Sequence, residues 1–408
     1  MRLLQINVSA NWGSTGKIAE QINIVAKEKG WDTYIAYGRY SNPSKSNLIR
    51  IGSSLDVYEH YAEHLFTDND GLASRKETDK LIKEIEKIKP SVIHVHNIHD
   101  HWVNYRILFK YLNTLEIPIL WTQHDCWSFT GGCYYFSRIE CEQWKKECTS
   151  SCPIRRNRFF RRFINQTVNH YNLKKALFLQ TKHLTLVTVS KWLEGVIRES
   201  FLKELDIKTI YNGVDTDVFR PLNENLNVLR EYGIENVLYV MGVASVWEER
   251  KGFADYCKLA TIIPSYVKLV LVGLKKQKKR EAEKYGIIGI SRTNNVEELV
   301  HLYCGASVVL NLSYEETFGM TTVEGFACGT PGIVYNTTAS PELINPETGI
   351  VVEPGDIEGV ADAIMEILSQ GKQHYSAACR KRAEEHFDKK ECFDKYIDLY
   401  ERLVKNEK

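Results

Sequence analysis

The chain has no long apolar run: nothing in its 408 residues approaches 18 consecutive apolar positions, the length a membrane-crossing helix needs. It has almost no net charge, since 53 Lys and Arg against 52 Asp and Glu leave +1, which argues against a dedicated nucleic-acid binder. It has no recognisable leader. The opening MRLLQINV turns polar too soon for a signal peptide and reads as a first strand, so a cytoplasmic protein is expected. It has no internal sequence repeat and no Cys-x2-Cys pair, although it holds ten cysteines.

What is present is alternation. Segments 3–8, 32–37, 91–96, 117–122 and 184–189 read as strands, and 18–29 and 78–88 as helices. A second set of strands follows at 237–243, 267–272, 307–312 and 332–335. Strands alternating with helices make parallel sheets covered on both faces. The chain is long enough for two cores, and the pattern occurs twice. The expected fold class is α/β, with two Rossmann-like domains, 1–215 and 216–389, joined through the turn-rich stretch 212–221. Ligands of such sheets sit beyond the carboxyl ends of the strands, so a site in the cleft between the domains is expected.

The richest stretch is 313–332, SYEETFGMTTVEGFACGTPG, set between two apolar strand-like runs. It reads as loop, short helix and glycine stop. The helix should begin near Met320–Thr322, capped by a threonine hydroxyl, and end at Gly329 before Pro331. Peptide N–H groups at such a start lack helical partners and carry the positive end of the helix dipole, which suits a diphosphate. Gly319 lets the backbone approach closely. Glu316 and Glu324, eight positions apart, can accept hydrogen bonds from sugar or ribose hydroxyls.

This stretch resembles the E-x7-E signature of retaining GT-B glycosyltransferases of family 4, glycosyl transferases group 1. Glu316 matches the first acid, Phe318-Gly319 the F-G that follows, and Glu324 the second acid. Gly325, Ala327, Cys328, Gly329 and Pro331 fit the continuation, with Gly325 where alanine is usual. The resemblance covers most of the chain. It implies a GT-B fold, a nucleoside-diphosphate sugar donor with UDP or GDP as base carrier, retention of configuration, and donor contacts from Phe318, Gly319, Met320, Thr321 and Glu324. It also implies that the last helix, within 390–408, packs back on the first domain.

Other positions gain roles from the same resemblance. Gly13 and Gly16, in the NWGSTGK loop after the first strand, match a donor-facing glycine loop. That loop is neither a P-loop nor G-x-G-x-x-G, and a plain structural turn is the alternative. His124, in TQHD at the end of a strand, matches a histidine near the transferred sugar, with Asp125 placed to orient it. Lys251-Gly252 matches a diphosphate-binding lysine. The family's arginine is absent, Val243 standing in its place, and Arg250 is the candidate substitute. Arg292 lies between a strand and a helix start, where backbone groups of the family hold the base.

Three features stand apart. His94, His96, His99 and His101 crowd together, but Ile98 breaks the hydrolase pattern H-x-H-x-D-H; cleft and structural histidines are the alternative to a metal cluster. Cys133, Cys141, Cys148 and Cys152 could hold a structural zinc or simply pack. The insertion that carries them is similar to one in family enzymes that build bacterial surface polysaccharides of the colanic-acid type. Arg155, Arg156, Arg158, Arg161 and Arg162 are interleaved with Phe159, Phe160 and Phe163. That segment could meet an anionic membrane surface, bind an acceptor diphosphate, or be a solvated helix face. The run 275–280 reads as a solvated loop, and Asp215-Thr216-Asp217 as a chance D-x-D.

The expected activity is hexosyl transfer to a glycan or polyprenyl-diphosphate-linked acceptor in surface polysaccharide synthesis, without a catalytic metal, in the cytoplasm or at the inner membrane face. Two other classes stay open: a sugar-nucleotide-binding protein without transfer activity (or an epimerase of the same architecture), and a metal hydrolase built on the four histidines.

Overall fold

The computed structural model describes residues 1–152, 164–222 and 226–405. The Arg- and Phe-rich segment 155–163 lies outside them. The chain forms two compact units, Met1–Tyr211 with Phe393–Lys408, and Asn212–Cys392.

In the first unit seven strands, β1 (Arg2–Asn7), β2 (Asp32–Tyr37), β3 (Asn47–Arg50), β4 (Val92–Val95), β5 (Ile119–Gln123), β6 (Leu184–Thr188) and β7 (Asp206–Thr209), form one sheet in the order 3-2-1-4-5-6-7. Every pairing is parallel. Leu3, Leu4 and Ile6 of β1 are fully buried, as is the polar Gln5 between them. A strand covered on both faces shows a run of buried positions of this kind. Strand order reverses between β1 and β4.

The second unit repeats the plan with six strands: β8 (Leu238–Val243), β9 (Val267–Val272), β10 (Ile288–Ile290), β11 (Val308–Asn311), β12 (Gly332–Tyr335) and β13 (Gly349–Val352), in the order 10-9-8-11-12-13. All are again parallel, and the order reverses between β8 and β11. Both units are thus doubly wound, and each has a switch point where two neighbouring strands send their following segments to opposite sides. Such a point leaves a crevice at the strands' carboxyl ends.

Three strands not expected from sequence, β3, β7 and β13, are sheet edges of four residues each. Edges are kept short and partly polar, so they carry little periodic signal. Two helices differ from the reading. The first runs Gly13–Glu28, so Gly13 and Gly16 belong to its opening turn; with two glycines and no apolar residue, 13–17 hides that turn. The basic run 275–280 is not a loop but falls almost wholly in the helix Lys276–Glu283, where its long aliphatic stems favour helix. The last helix, Lys389–Val404, sends Tyr396 and Tyr400 into the first unit, where both are buried. Among the described residues no helix is long and apolar enough to cross a membrane.

Candidate functional site

In the first unit the segments leaving β1, β4 and β5 carry the residues singled out from sequence. Asn7, the last residue of β1, accepts the amide of Asn97 at 3.2 Å and donates to the Ser9 carbonyl at 2.8 Å, joining the ends of β1 and β4. Gly16 is closely packed: a Cβ there would lie 2.8 Å from Ser9 Oγ and 3.2 Å from the Ser9 carbonyl oxygen.

The histidines form an ordered layer. His94 and His96 share one face of β4, with ring centroids 4.0 Å apart. His94 Nδ1 meets the Tyr400 hydroxyl at 2.6 Å and its Nε2 meets Thr122 Oγ1 at 2.7 Å. His96 Nε2 lies 2.6 Å from Gln5 Oε1. The Gln5 amide nitrogen is committed to Ala19 O and Asn23 Oδ1, so its oxygen must accept from His96. That puts the His96 proton on Nε2 and makes its Nδ1 an acceptor. His124 Nε2, 3.0 Å from that Nδ1, is therefore the donor. Burial, and secondarily neighbouring imidazoles, push His94 and His96 well below the usual histidine value. Burial also brings His124 down to about 4, against an opposing pull from Asp125. The layer is neutral, with the tautomers of His96 and His124 set by one glutamine.

Asp125 does not orient His124. Its Oδ2 pairs with His99 Nε2 at 2.8 Å and its Oδ1 accepts the Trp127 amide at 2.8 Å. Burial disfavours a charged His99, but Asp125 and Asp100 outweigh it and raise the imidazole to about 10. The orienting partner of His124 is His96, a residue the sequence offered only as part of a cluster. The four clustered histidines diverge: His94 lies in β4 and His96 directly follows it, His99 is an imidazolium between two carboxylates, and His101 faces a different group of side chains.

In the second unit the decisive contact lies across the switch point between β8 and β11. Lys251, after β8, forms an ion pair with Glu316, after β11. Their side chains are only 19% and 17% exposed. Arg250 stands beside them, with Nη1 donating to the Glu315 carbonyl at 3.3 Å and its own carbonyl accepting the Tyr314 amide at 2.8 Å. The Glu316 backbone is pinned by Thr338 Oγ1 on its N–H and by the Ala339 amide on its carbonyl. Three residues predicted to act together are therefore brought together.

The helix after this loop runs Met320–Ala327, starting where expected. Its N-cap is Gly319 at φ +107°, without a side-chain cap, so no threonine hydroxyl plays that part. A Cβ on Gly319 would approach Leu343 Cδ1 to 2.9 Å, and the positive φ itself disfavours other residues. Glu324, one turn into the helix, accepts the Tyr303 hydroxyl at 2.8 Å. Burial, then the Glu324 carboxylate, push that phenol well above its ordinary value, so it stays a donor. Phe318 is a core residue, buried and edge-on to Phe387 at 5.7 Å. Met320 and Thr321 are half-buried at the helix start, and Arg292 is exposed beyond β10.

Two residues had no sequence signal. Tyr303 anchors Glu324. Asp255, buried, accepts the hydroxyls of Tyr314 at 2.6 Å and Tyr335 at 3.0 Å, fixing the start of the Glu316 loop. The formal D-x-D is structural: Asp215 pairs with Lys389 and Thr216 donates to Asp388.

In the cysteine-bearing insertion, Cys133 and Cys152 sulfurs lie 3.8 Å apart and Cys148 Sγ accepts the Gly131 amide at 3.2 Å. Burial raises the Cys148 thiol to about 11, offset in part by that amide.

The family model for glycosyltransferase family 4 matches residues 25–218, and that for glycosyl transferases group 1 matches residues 228–386. The chain belongs to these glycosyltransferases. Its fold is GT-B. Among relatives of this glycosyltransferase, N-acetyl-alpha-D-glucosaminyl L-malate synthase of Bacillus anthracis is 28% identical over 218 residues, 50% of this chain and 55% of that protein. Capsular polysaccharide biosynthesis glycosyltransferase CapM of Staphylococcus aureus is 23% identical over 248 residues, 57% of this chain and 64% of its own. The chain spans about half the length of the first curated relatives it matches. In fold it is similar to sucrose-phosphate synthase of Thermosynechococcus elongatus, with TM-score 0.74 and 17% identity over 99% of both chains. It is also similar to Anabaena Alr3699/HepE, solved with UDP-glucose, with TM-score 0.66 and 13% identity over 98% of this chain and 99% of that one.

Proposed function

We propose that the protein transfers a hexose, with retention, from a nucleoside-diphosphate sugar to a glycan or polyprenyl-diphosphate-linked acceptor, in the synthesis of a bacterial surface polysaccharide. The observation that carries the reading is the Lys251–Glu316 pair at the second sheet's switch point, beside the opening turn of the helix Met320–Ala327. A capsular polysaccharide enzyme among the relatives and a UDP-glucose complex among the structural neighbours support the acceptor class and a UDP donor.

In this reading a diphosphate competes with Glu316 for the Lys251 ammonium. As the glycosidic bond breaks, the leaving diphosphate gains charge, and Lys251, Arg250 and the amides near Gly319–Thr321 stabilise it. Each charged hydrogen bond is worth about 1.5–3 kcal/mol, so a few directed at developing charge supply much of a rate enhancement without a catalytic metal. Glu316, released from Lys251, accepts from sugar hydroxyls, while Glu324, held by Tyr303, accepts from the ribose. His124, neutral and fixed by His96, contacts the transferring sugar, and Gly13 and Gly16 leave room for the diphosphate at the opening of their helix. No side chain is placed as a covalent nucleophile, and front-face attack is the working mechanism.

Two further parts of the reading are structural. Cys133, Cys141, Cys148 and Cys152 hold a zinc ion; the 3.8 Å between Cys133 and Cys152 sulfurs equals the edge of a tetrahedron with zinc–sulfur bonds of about 2.3 Å. The enzyme works on the cytoplasmic face of the membrane, with 155–163 as its peripheral contact.

The test is thermal shift with UDP, GDP, ADP, CMP and dTDP, followed by donor turnover with and without added Mg2+. One diphosphate at a hundred times its dissociation constant should stabilise by about 2.7 kcal/mol. No shift with any of the five at millimolar concentration would sink the donor assignment. Binding without turnover would leave a sugar-nucleotide-binding protein.

A further inference from the structure

A second group of histidines lies in the first unit, away from the neutral layer on β4 and β5. His60 and His64 sit one turn apart on the helix Ser54–Thr67, and both are buried, at 1% and 5% exposure. Asp70 follows in the next turn, 5% exposed. His101 comes from the segment after β4 and packs onto both helix residues, its ring centroid 5.4 Å from that of His60 and 4.9 Å from that of His64. One ligand atom each from His64, Asp70 and His101 lie within 4.8 Å of one another.

Burying three imidazoles beside a carboxylate is unfavourable unless something satisfies them. His60 Nε2 and His101 Nε2 are buried with no hydrogen-bond partner among the described residues, and a buried polar atom left unpaired keeps its full desolvation penalty. A divalent cation satisfies both. It takes lone pairs from neutral imidazoles and charge from a carboxylate, and imidazole donors favour zinc and its transition-metal neighbours over magnesium or calcium.

The surroundings suit metal ligands. His60 Nδ1 bonds Ser74 Oγ at 2.7 Å, the kind of outer contact that fixes which ring nitrogen faces a metal. The Trp127 indole N–H donates to Asp70 Oδ2 at 3.0 Å, and a carboxylate keeps lone pairs to spare. Zinc with bonds of about 2.0–2.1 Å asks the ligand atoms to draw in by about an ångström, which is within reach of side-chain rotation.

We propose that His64, Asp70 and His101, with His60 packed against His101 as a candidate fourth ligand, form a binding site for a zinc-class divalent metal. It is separate from the cysteine set and does not depend on the proposed transferase activity. Its role is to tie the helix Ser54–Thr67 to the segment after β4. Through Asp70 and Trp127 it reaches Asp125, and hence His99, beside the neutral histidine layer.

The experiment is Co2+ titration of the untagged full-length protein after removal of bound metal, read by visible absorption, alongside His101→Gln, His64→Ala and Cys148→Ser. Loss of outer-shell partners alone weakens metal sites about 10–100-fold, so losing a ligand should weaken this one by about 100-fold or more. The expected result is two Co2+ per chain: one with a thiolate charge-transfer band that is lost in Cys148→Ser, and one with nitrogen and oxygen ligation that is kept in Cys148→Ser and weakened at least about 100-fold in both histidine variants. Unchanged binding in the histidine variants, or cobalt bound only through sulfur, overturns the proposal. If a histidine variant fails to fold, X-ray absorption of the cobalt-loaded wild-type protein decides: imidazole scattering supports the site, and its absence refutes it.

Discussion

The two switch points share a topology and differ in chemistry. Both lie where a parallel sheet reverses its strand order, between β1 and β4 in one unit and between β8 and β11 in the other. The first is lined by buried, neutral imidazoles, of which Gln5 places the protons of His96 and His124. The second is closed by the half-buried ion pair of Lys251 and Glu316. One arrangement presents shape and a set tautomer; the other presents charge that an anionic ligand can displace. In the proposed reading the first surface meets an uncharged sugar and the second a leaving diphosphate.

The largest effect should come from the charged point. Lys251→Ala should lower kcat about 10²–10³-fold, the usual result of removing one donor aimed at developing charge, in a donor-turnover assay. Wild-type turnover would break the contrast at its centre. Glu316→Gln should cost kcat more than donor affinity, because in the resting protein this carboxylate holds Lys251 and only later meets the sugar; the kcat and KM split reads this out.

The neutral point should answer mainly to pH. His96 and His124 lie below the ordinary histidine value of 6.5, His124 at about 4. The stability gained by keeping them neutral is fully present above pH 6.5 and drains away as pH falls toward 4. For His124 alone that amounts to about 3 kcal/mol. His99, raised to about 10, behaves in the opposite sense: its contribution is complete below 6.5 and is lost as pH rises through 10. Hydrogen exchange between pH 7.5 and 5 should therefore loosen β4 and β5 before β8 and β11. Equal loosening would mean that the imidazole layer does not set the acid limit. The smallest effect belongs to Tyr303→Phe, which should raise the donor KM a few-fold by releasing Glu324 while leaving kcat nearly intact.

Much of this contrast was legible in the sequence, and unevenly. The strands nearest each switch point are mostly apolar and buried, and they emerged within a residue or two of their positions. The edges β3, β7 and β13 did not, because four half-exposed residues show no period. Glu316 and Lys251 were readable because a family motif names them, and Arg250 only as the candidate substitute for the motif's missing arginine; the fold brings the three together. The partners of these residues carry no motif. Tyr303 reaches Glu324 from the helix Val296–Gly305, and Gln5 is one polar residue in a buried strand. Asp125 was assigned to the wrong histidine, since adjacency in sequence suggested His124 whereas the turn after β5 aims the carboxylate at His99.

The chain leaves its first unit at Tyr211 and returns only at Phe393. Tyr400, almost the last residue described, bonds His94 in the middle of the first sheet. On the ribosome the order of completion is thus inverted. The second unit has all its strands before residues 393–400 are made, whereas the unit made first waits for them to fill the space beside His94. A stop codon at Phe393 would spare the later-made unit and leave the earlier one with an open core.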